Sequence, residues 1–183
     1  MKVLDASGRR VYAPKGLCCG RTFLAVGLVD EAKREARKMI EALAPYVSKG
    51  VPIVGLEPSC LFSLRDEFPV LAGEELAKDS HLFEEFLAAN PGKLKFKVMK
   101  QEALLHGHCH QKAFDAMPAV EKVLGMVPGL KVSSVQTSCC GMAGSFGYEA
   151  EHYDVSMKMA ELSSPPAIPN RSAAPLLVAD GTS

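Results

Sequence analysis

Two pairs of adjacent cysteines, each followed by glycine, are the residues of this sequence best suited to chemistry. They form the motifs Cys18-Cys19-Gly20 and Cys139-Cys140-Gly141. Adjacent cysteines rarely form a disulfide with each other, because the bond demands a geometry that the intervening peptide strains to reach. They are better suited to presenting two thiolates to one inorganic cluster, while the glycine lets the backbone approach closely and offers an amide donor to sulfur.

Two single cysteines, Cys60 and Cys109, bring the total to six. A reducing cytosol disfavours disulfides, and soft thiolates there favour zinc, copper(I) or the iron of iron–sulfur clusters. The sequence lacks the Cys-x2–4-Cys pair usual in zinc sites and the Cys-x-x-Cys of thiol–disulfide exchange. An iron–sulfur site is therefore favoured for the paired cysteines, whereas each single cysteine has the alternative of being a small buried hydrophobic residue.

Three histidines surround Cys109, at His106, His108 and His110. Imidazoles beside a cluster can donate hydrogen bonds, carry protons or ligate the metal. Because successive residues of a strand point to opposite faces, only some of them can reach one site. We expect His108 and His110, with the two motif glycines, to contact the thiol ligands and not the metal itself.

Short apolar strands and amphipathic helices alternate along the chain and must position these thiols. Strands are expected at residues 51–56, 94–98 (an exposed edge strand), 103–107, 131–136 and 176–179. Helices are expected at residues 30–46, at 60–90 with interruptions at Pro69 and Gly73, at 111–127 with a break at Pro118, and at 149–162. Residues 138–144 are expected to form a loop and 163–175 a connector. This alternation predicts an α/β fold with short, largely parallel strands, helices on both faces, and a site at the carboxyl ends of the strands.

Each Cys-Cys-Gly motif precedes about ten residues and then an amphipathic helix, which indicates an internal repeat. We expect a first cysteine-rich repeat over residues 1–100 and a second over residues 101–183. When the two are aligned, the counterpart of Cys60 falls beyond the end of the sequence and that of Cys109 before its start. The first repeat is thus expected to be incomplete N-terminally and the second C-terminally, as in a fragment.

Composition narrows the range of partners. Lys plus Arg and Asp plus Glu number 21 each, so the net charge is zero with neutral histidines, and nothing favours attraction to nucleic acid or anionic lipid. No apolar run approaches the roughly 18 to 20 residues that span a bilayer, and the start of the sequence lacks the apolar stretch of a secretory signal. We therefore expect a soluble, cytoplasmic protein with no nucleic-acid partner and no membrane span.

Four segments in combination resemble the cysteine-rich CCG-domain family, found in the heterodisulfide reductase B subunit, the glycolate oxidase iron–sulfur subunit and lactate-utilisation proteins. The segments are Leu-Cys-Cys-Gly, Gly-Leu-Glu-Pro-Ser-Cys, His-Gly-His-Cys-His-Gln-Lys and Cys-Cys-Gly-Met-Ala-Gly-Ser-Phe-Gly-Tyr-Glu. The resemblance covers residues 16–162. Within the family, the sequence looks closest to the C-terminal region of FAD-linked oxidases of the D-lactate dehydrogenase type. One departure is that the family's closing Cys-x-x-Cys is reduced here to Glu57-Pro58-Ser59-Cys60.

The resemblance implies an electron-transfer or thiol-redox role with [4Fe–4S] clusters, which are non-cubane in some members. It assigns as ligands Cys18, Cys19 and Cys60 in the first repeat, and Cys109, Cys139 and Cys140 in the second. It also implies two partners, an FAD-containing oxidase domain or subunit and a ferredoxin-like cluster domain, with FAD on a missing domain or partner only.

The favoured interpretation is thus an iron–sulfur electron-transfer module of a flavin-linked 2-hydroxy-acid oxidoreductase of the lactate or glycolate type. No residue is proposed as a general acid or base, and the polypeptide alone is not expected to turn over substrate. The alternatives are a zinc- or cluster-stabilised protein-interaction domain without redox turnover, and a metal-free remnant with reduced thiols.

Overall fold

The computed structural model of the chain describes residues 2–73, 76–137, 139–162 and 175–181. The chain divides into two compact units, Met1–Phe96 and Lys97–Ser183. Short parallel strands and helices build both units, so the predicted α/β fold with parallel strands is confirmed. The internal repeat itself stays a prediction.

The first unit contains a two-stranded parallel sheet of β1 (Ile53–Gly55) and β2 (Ser80–Leu82). Its helices are α1 (Lys2–Ala6), α2 (Arg21–Ala25), α3 (Val29–Val47), α4 (Pro58–Arg65), α5 (Glu67–Leu71) and α6 (Phe83–Ala89). The predicted helix over residues 30–46 is confirmed as α3, and its apolar stripe packs inward with Ala32 and Ala36 buried. The centre of this unit is formed by Phe62, Phe68, Leu76, Leu82 and Leu87, each at most 2% exposed.

The second unit contains a three-stranded parallel sheet in the order β4-β3-β5. The strands are β3 (Glu102–His106), β4 (Lys131–Ser134) and β5 (Leu176–Ala179). The helices are α7 (Cys109–Ala113), α8 (Met117–Gly125) and α9 (Tyr153–Glu161), preceded by 3₁₀ helices at Phe146–Tyr148 and Ala150–His152. The central strand β3 alternates as expected, with Ala103 and Leu105 buried on one face.

The expected edge strand over residues 94–98 is wrong, because these residues pair with no strand among the described residues. The alternation that suggested it is real, since Leu94 and Phe96 are half-buried while the lysines beside them are exposed. Alternating exposure shows only that an extended segment lies against the protein on one side. It does not show that the backbone hydrogen-bonds to a neighbour.

The breaks expected near Pro69, Gly73 and Pro118 are present, but those near the prolines lie before them: α4 ends at Arg65 before α5 begins, and α7 ends at Ala113 before α8 begins. Pro69 is the third residue of α5 and Pro118 the second residue of α8, so both lie in a first turn. The first amides of a helix have no partner inside it, so proline costs nothing there and helps to begin the helix. The expected helical stretch over residues 60–90 is further divided by β2, which was missed.

The last expected helix, residues 149–162, forms only partly as an α-helix, because its first turn is the 3₁₀ helix Ala150–His152. Of the expected loop over residues 138–144, Ser138 lies outside the described residues, as do residues 163–174 of the expected connector. Within the described part of the chain, no helix has both the length and the apolar character needed to cross a bilayer.

Candidate functional site

The first Cys-Cys-Gly motif lies directly against helix α3. Gly20 has φ 75° and begins helix α2, and its amide donates a hydrogen bond to the Cys18 sulfur at 3.4 Å. A Cβ at Gly20 would lie 3.1 Å from the backbone oxygen of Ala32 in α3. Both the left-handed backbone and this close approach require glycine, which therefore fixes how the two thiols are presented.

The third thiol of the first unit, Cys60, lies beside that motif. It follows strand β1 in the first turn of α4, a helix that begins where the Glu57 carboxylate accepts the amide of Ser59. The sulfurs of Cys19 and Cys60 are 3.1 Å apart and share a hydrogen bond without a covalent bond. Cys19 is buried, Cys60 half-buried and Cys18 exposed.

The shared hydrogen bond separates the acidities of these two thiols. The bond from Cys60 lowers the pKa of Cys19 to about 6, and the Arg21 amide adds to this effect against the cost of burial. The pKa of Cys60 is raised by the same bond, then by burial and by the charge on Cys19. Cys19 therefore loses its proton before Cys60 does.

The second Cys-Cys-Gly motif repeats the same local geometry in the second unit. Gly141 has φ 86°, and its amide donates to the Cys139 sulfur at 3.4 Å. A Cβ at Gly141 would lie 2.2 Å from the backbone oxygen of Ser156 in helix α9, and the Ser156 hydroxyl donates to the Gly141 oxygen at 2.8 Å. Both motifs thus combine a left-handed glycine, an amide donated to the first cysteine and direct contact with a following helix.

Cys109 is the third thiol of the second unit and the first residue of α7, just after central strand β3. Partial desolvation raises its pKa, and the charges of Cys139 and Cys140 raise it further, while a hydrogen bond from the Cys140 backbone opposes them. The three thiols are therefore within electrostatic range of one another. Cys139 and Cys140 are half-buried, and Cys109 retains contact with solvent.

The predicted histidines adjoin Cys109 in the chain. His108 is 8% exposed and caps α7, where its Nδ1 accepts the His110 amide at 3.1 Å. The rings of His108 and His110 stack with their centres 5.2 Å apart. Their expected contact with the thiol ligands stays a prediction.

Two polar residues beside the site were missed in the sequence, Gln111 and Lys112. The Gln111 oxygen accepts the His108 amide at 3.0 Å, which completes a capping box with the residue three positions earlier. The usual sequence signal for such a box begins with Ser, Thr, Asp or Asn, and the histidine at this position concealed it. The contacts of Lys112 join residues far apart in the chain, and no local pattern indicated them.

The donor set of each unit consists of three soft thiols, the ligand type of iron–sulfur clusters. Within the described ranges, no group of three His, Cys, Asp or Glu side chains is placed to hold one metal ion. An iron–sulfur cluster has several iron atoms, and each thiolate binds a different one, so the sulfurs need not converge on a point. Three soft thiols with amide donors at the first cysteine fit such a cluster.

Comparison with known proteins gives the family. The model of the CCG cysteine-rich domain matches residues 1–65. Lactate utilization protein A 1 of Bacillus mycoides (strain KBAB4) is 31% identical over 173 residues, which cover 89% of this chain and 67% of that protein. The chain belongs to the CCG cysteine-rich domain family.

Two further relatives are a dehydrogenase subunit and a dehydrogenase. In Escherichia coli (strain K12), one of the subunits of the anaerobic glycerol-3-phosphate dehydrogenase is 30% identical over 164 residues, 85% of this chain. The D-2-hydroxyglutarate dehydrogenase of the same strain is 30% identical over 140 residues, 75% of this chain. The chain spans 41% of the first protein and 14% of the second. No solved structure matches it.

Proposed function

We propose that this chain is an iron–sulfur electron-transfer module of a flavin-linked dehydrogenase that oxidises a 2-hydroxy acid. One observation carries the proposal: each compact unit places a Cys-Cys-Gly pair beside a third cysteine that follows a parallel strand. Cys18, Cys19 and Cys60 would hold one cluster. Cys109, Cys139 and Cys140 would hold the other.

A bound [4Fe–4S] cluster exchanges single electrons, at a potential set by burial and by hydrogen bonds to its sulfurs. The chain's own residues supply both influences. The amides of Gly20 and Gly141 each donate to a cysteine sulfur, which stabilises negative charge on it. Burial of Cys19 excludes water from one side of the first site.

We assign substrate oxidation to an FAD-containing domain or subunit. The names of matching relatives support a dehydrogenase context. They include a 2-hydroxy acid, D-2-hydroxyglutarate, and also glycerol 3-phosphate, which is not one. The substrate class is therefore argued from the family resemblance and not from residues of this chain. A ferredoxin-like cluster domain would be the other electron partner.

We also place the protein in a reducing compartment, the cytoplasm. All six cysteines are free, and thiols persist in this form where glutathione and thioredoxin keep them reduced.

An anaerobic redox titration tests the electron-transfer role. The chain, reconstituted with iron and sulfide, should show a visible absorption that bleaches reversibly as the potential is lowered. The double variants Cys18→Ser/Cys19→Ser and Cys139→Ser/Cys140→Ser should each remove part of that signal while circular dichroism stays unchanged. Stable zinc with no redox-active absorption would instead favour an interaction domain, and a folded, colourless, metal-free protein would refute both metal-based functions.

A further inference from the structure

The short helix α7, which begins with Cys109, is tied to both neighbouring strands of the second unit. Strand β3, which leads into it, lies between β4 and β5. Two consecutive residues of the helix, Gln111 and Lys112, reach the chain beyond the carboxyl ends of the two outer strands.

Gln111 forms the hydrogen bond that links α7 to the chain after β5. Its side chain is fully buried, at 0% exposure. Its oxygen accepts the amide of His108, and its nitrogen donates to the carboxylate of Asp180 at 2.8 Å. Asp180 directly follows β5. Because a buried amide needs partners for its oxygen and its nitrogen, these bonds hold the helix start and the end of β5 in one arrangement.

Lys112 forms the hydrogen bonds that link α7 to the chain after β4. Its ammonium nitrogen donates to both the backbone oxygen and the hydroxyl of Thr137, each at 2.9 Å. The Thr137 hydroxyl also lies 3.0 Å from Nδ1 of His106, the last residue of β3. Thr137 is two residues before Cys139, so this network anchors the segment that leads into the second cysteine pair.

We propose that Lys112, assisted by Gln111, is a positioning residue that gathers the Cys109 sulfur with those of Cys139 and Cys140 before any cofactor binds. Among the described residues between β4 and α9 there is no strand or α-helix, and Gly141 and Ala143 have a left-handed backbone. A segment of this kind loses conformational freedom when it is ordered. Hydrogen bonds that order it in advance therefore lower the entropy cost of binding a cofactor. The cofactor identity rests on the proposed function, but the gathering of the thiols does not.

Thiol cross-linking in the cofactor-free chain tests this directly. Dibromobimane joins two thiols only when they are close, and peptide mass spectrometry identifies the joined pair. The Cys19–Cys60 pair of the first unit, 3.1 Å apart, serves as an internal reference in the same molecule. Lys112→Met should slow the joining of Cys109 to Cys139 or Cys140 by about 10-fold relative to that reference, the effect of losing two charge-assisted hydrogen bonds.

Matched variants separate positioning from charge and from folding. Lys122→Met removes an exposed lysine of α8 in the same unit and should leave the ratio unchanged. Lys112→Arg keeps the charge but alters the donor geometry, and should fall between Lys112→Met and the unchanged chain. If Lys112→Met fails to fold, Thr137→Val, which retains the backbone acceptor, should still lower the cross-linking ratio about 3-fold, because it removes the hydroxyl that accepts from Lys112 and contacts His106.

A folded Lys112→Met or Thr137→Val variant with an unchanged cross-linking ratio would overturn the proposal. A lower unfolding free energy with an unchanged ratio would also overturn it, because it would show a purely structural role. Iron uptake by the unchanged chain is measured separately. Its failure would remove the cluster function while leaving the cross-linking result, and so the positioning role, intact.

Discussion

Replacing Gly141 by alanine should destabilise the second unit far more than the same change at Gly144. Both glycines have a left-handed backbone, with φ 86° and 69°. They differ in the space around them: a Cβ at Gly141 would lie 2.2 Å from the Ser156 oxygen, whereas a Cβ at Gly144 has nothing within 4 Å. Gly144→Ala is therefore a control that matches the backbone strain and lacks the steric overlap.

The expected losses of unfolding free energy follow from the backbone strain and the steric overlap. An alanine in the left-handed region costs about 1–2 kcal/mol, and this applies at both positions. The gain from a less flexible unfolded chain, about 0.4–1 kcal/mol, is also common to both and cancels in the comparison. The overlap with helix α9 adds about 1–3 kcal/mol at Gly141 alone, because backbone must move to relieve it. The two variants should differ by this last amount.

Urea unfolding followed by circular dichroism gives the two free energies, and hydrogen exchange of peptides from the second unit shows where stability is lost. The first unit offers a second pair, Gly20→Ala against Gly27→Ala. The difference in unfolding free energy between these two variants should be smaller, because a Cβ at Gly20 would lie 3.1 Å from its nearest neighbour and a Cβ at Gly27 has no atom within 4 Å. Equal losses at Gly141 and Gly144 would refute the argument that the cysteine loop packs directly on the helix.

Three further results are expected in the first unit. Arg65→Met removes donors to the Ser80 oxygen and to the Glu85 carboxylate, both partly buried, and should lower the unfolding free energy in urea by about 2–4 kcal/mol. Burial alone would raise the pKa of Glu85, but the hydrogen bonds from Arg65 and from the Leu82 amide, together with the charge of Arg65, outweigh burial and lower that pKa. This stabilisation is therefore present above the unfolded pKa and lost as pH falls. The stability gap between native chain and variant should accordingly narrow below pH 4.5, and a constant gap in acid would contradict this assignment. Cys60→Ala should raise the pKa of Cys19 from about 6, which the thiolate absorbance of the cofactor-free chain reports; an unshifted midpoint would show that the shared bond is not its cause.

The strongly periodic elements were predictable from sequence. Helix α3 has enough residues for its apolar stripe to be unambiguous, and the apolar β3 was recognised as a buried strand. Strand β2 was not, because its three residues, Ser80 to Leu82, contain one apolar side chain and pair through the backbone. The two prolines indicated breaks that are present, but each break lies before the proline, because Pro69 and Pro118 lie in the first turn of the next helix.

The candidate site was only partly accessible from sequence. The Cys-Cys-Gly motifs and the two single cysteines can be picked out by residue type and spacing. The contact between Cys19 and Cys60 joins residues 41 positions apart and depends on how the start of α2 packs against α4. The bonds of Gln111 to Asp180 and of Lys112 to Thr137 likewise arise from the strand order β4-β3-β5, which no local pattern specifies.

Iron and acid-labile sulfide content, measured on the chain prepared and reconstituted without oxygen, tests the central claim most directly. Both should be bound, in comparable amounts. Part should be lost in Cys18→Ser/Cys19→Ser, part in Cys139→Ser/Cys140→Ser, and all when the four changes are combined. A folded, reconstituted chain that binds neither iron nor sulfide, with all six thiols still free to react, would contradict it.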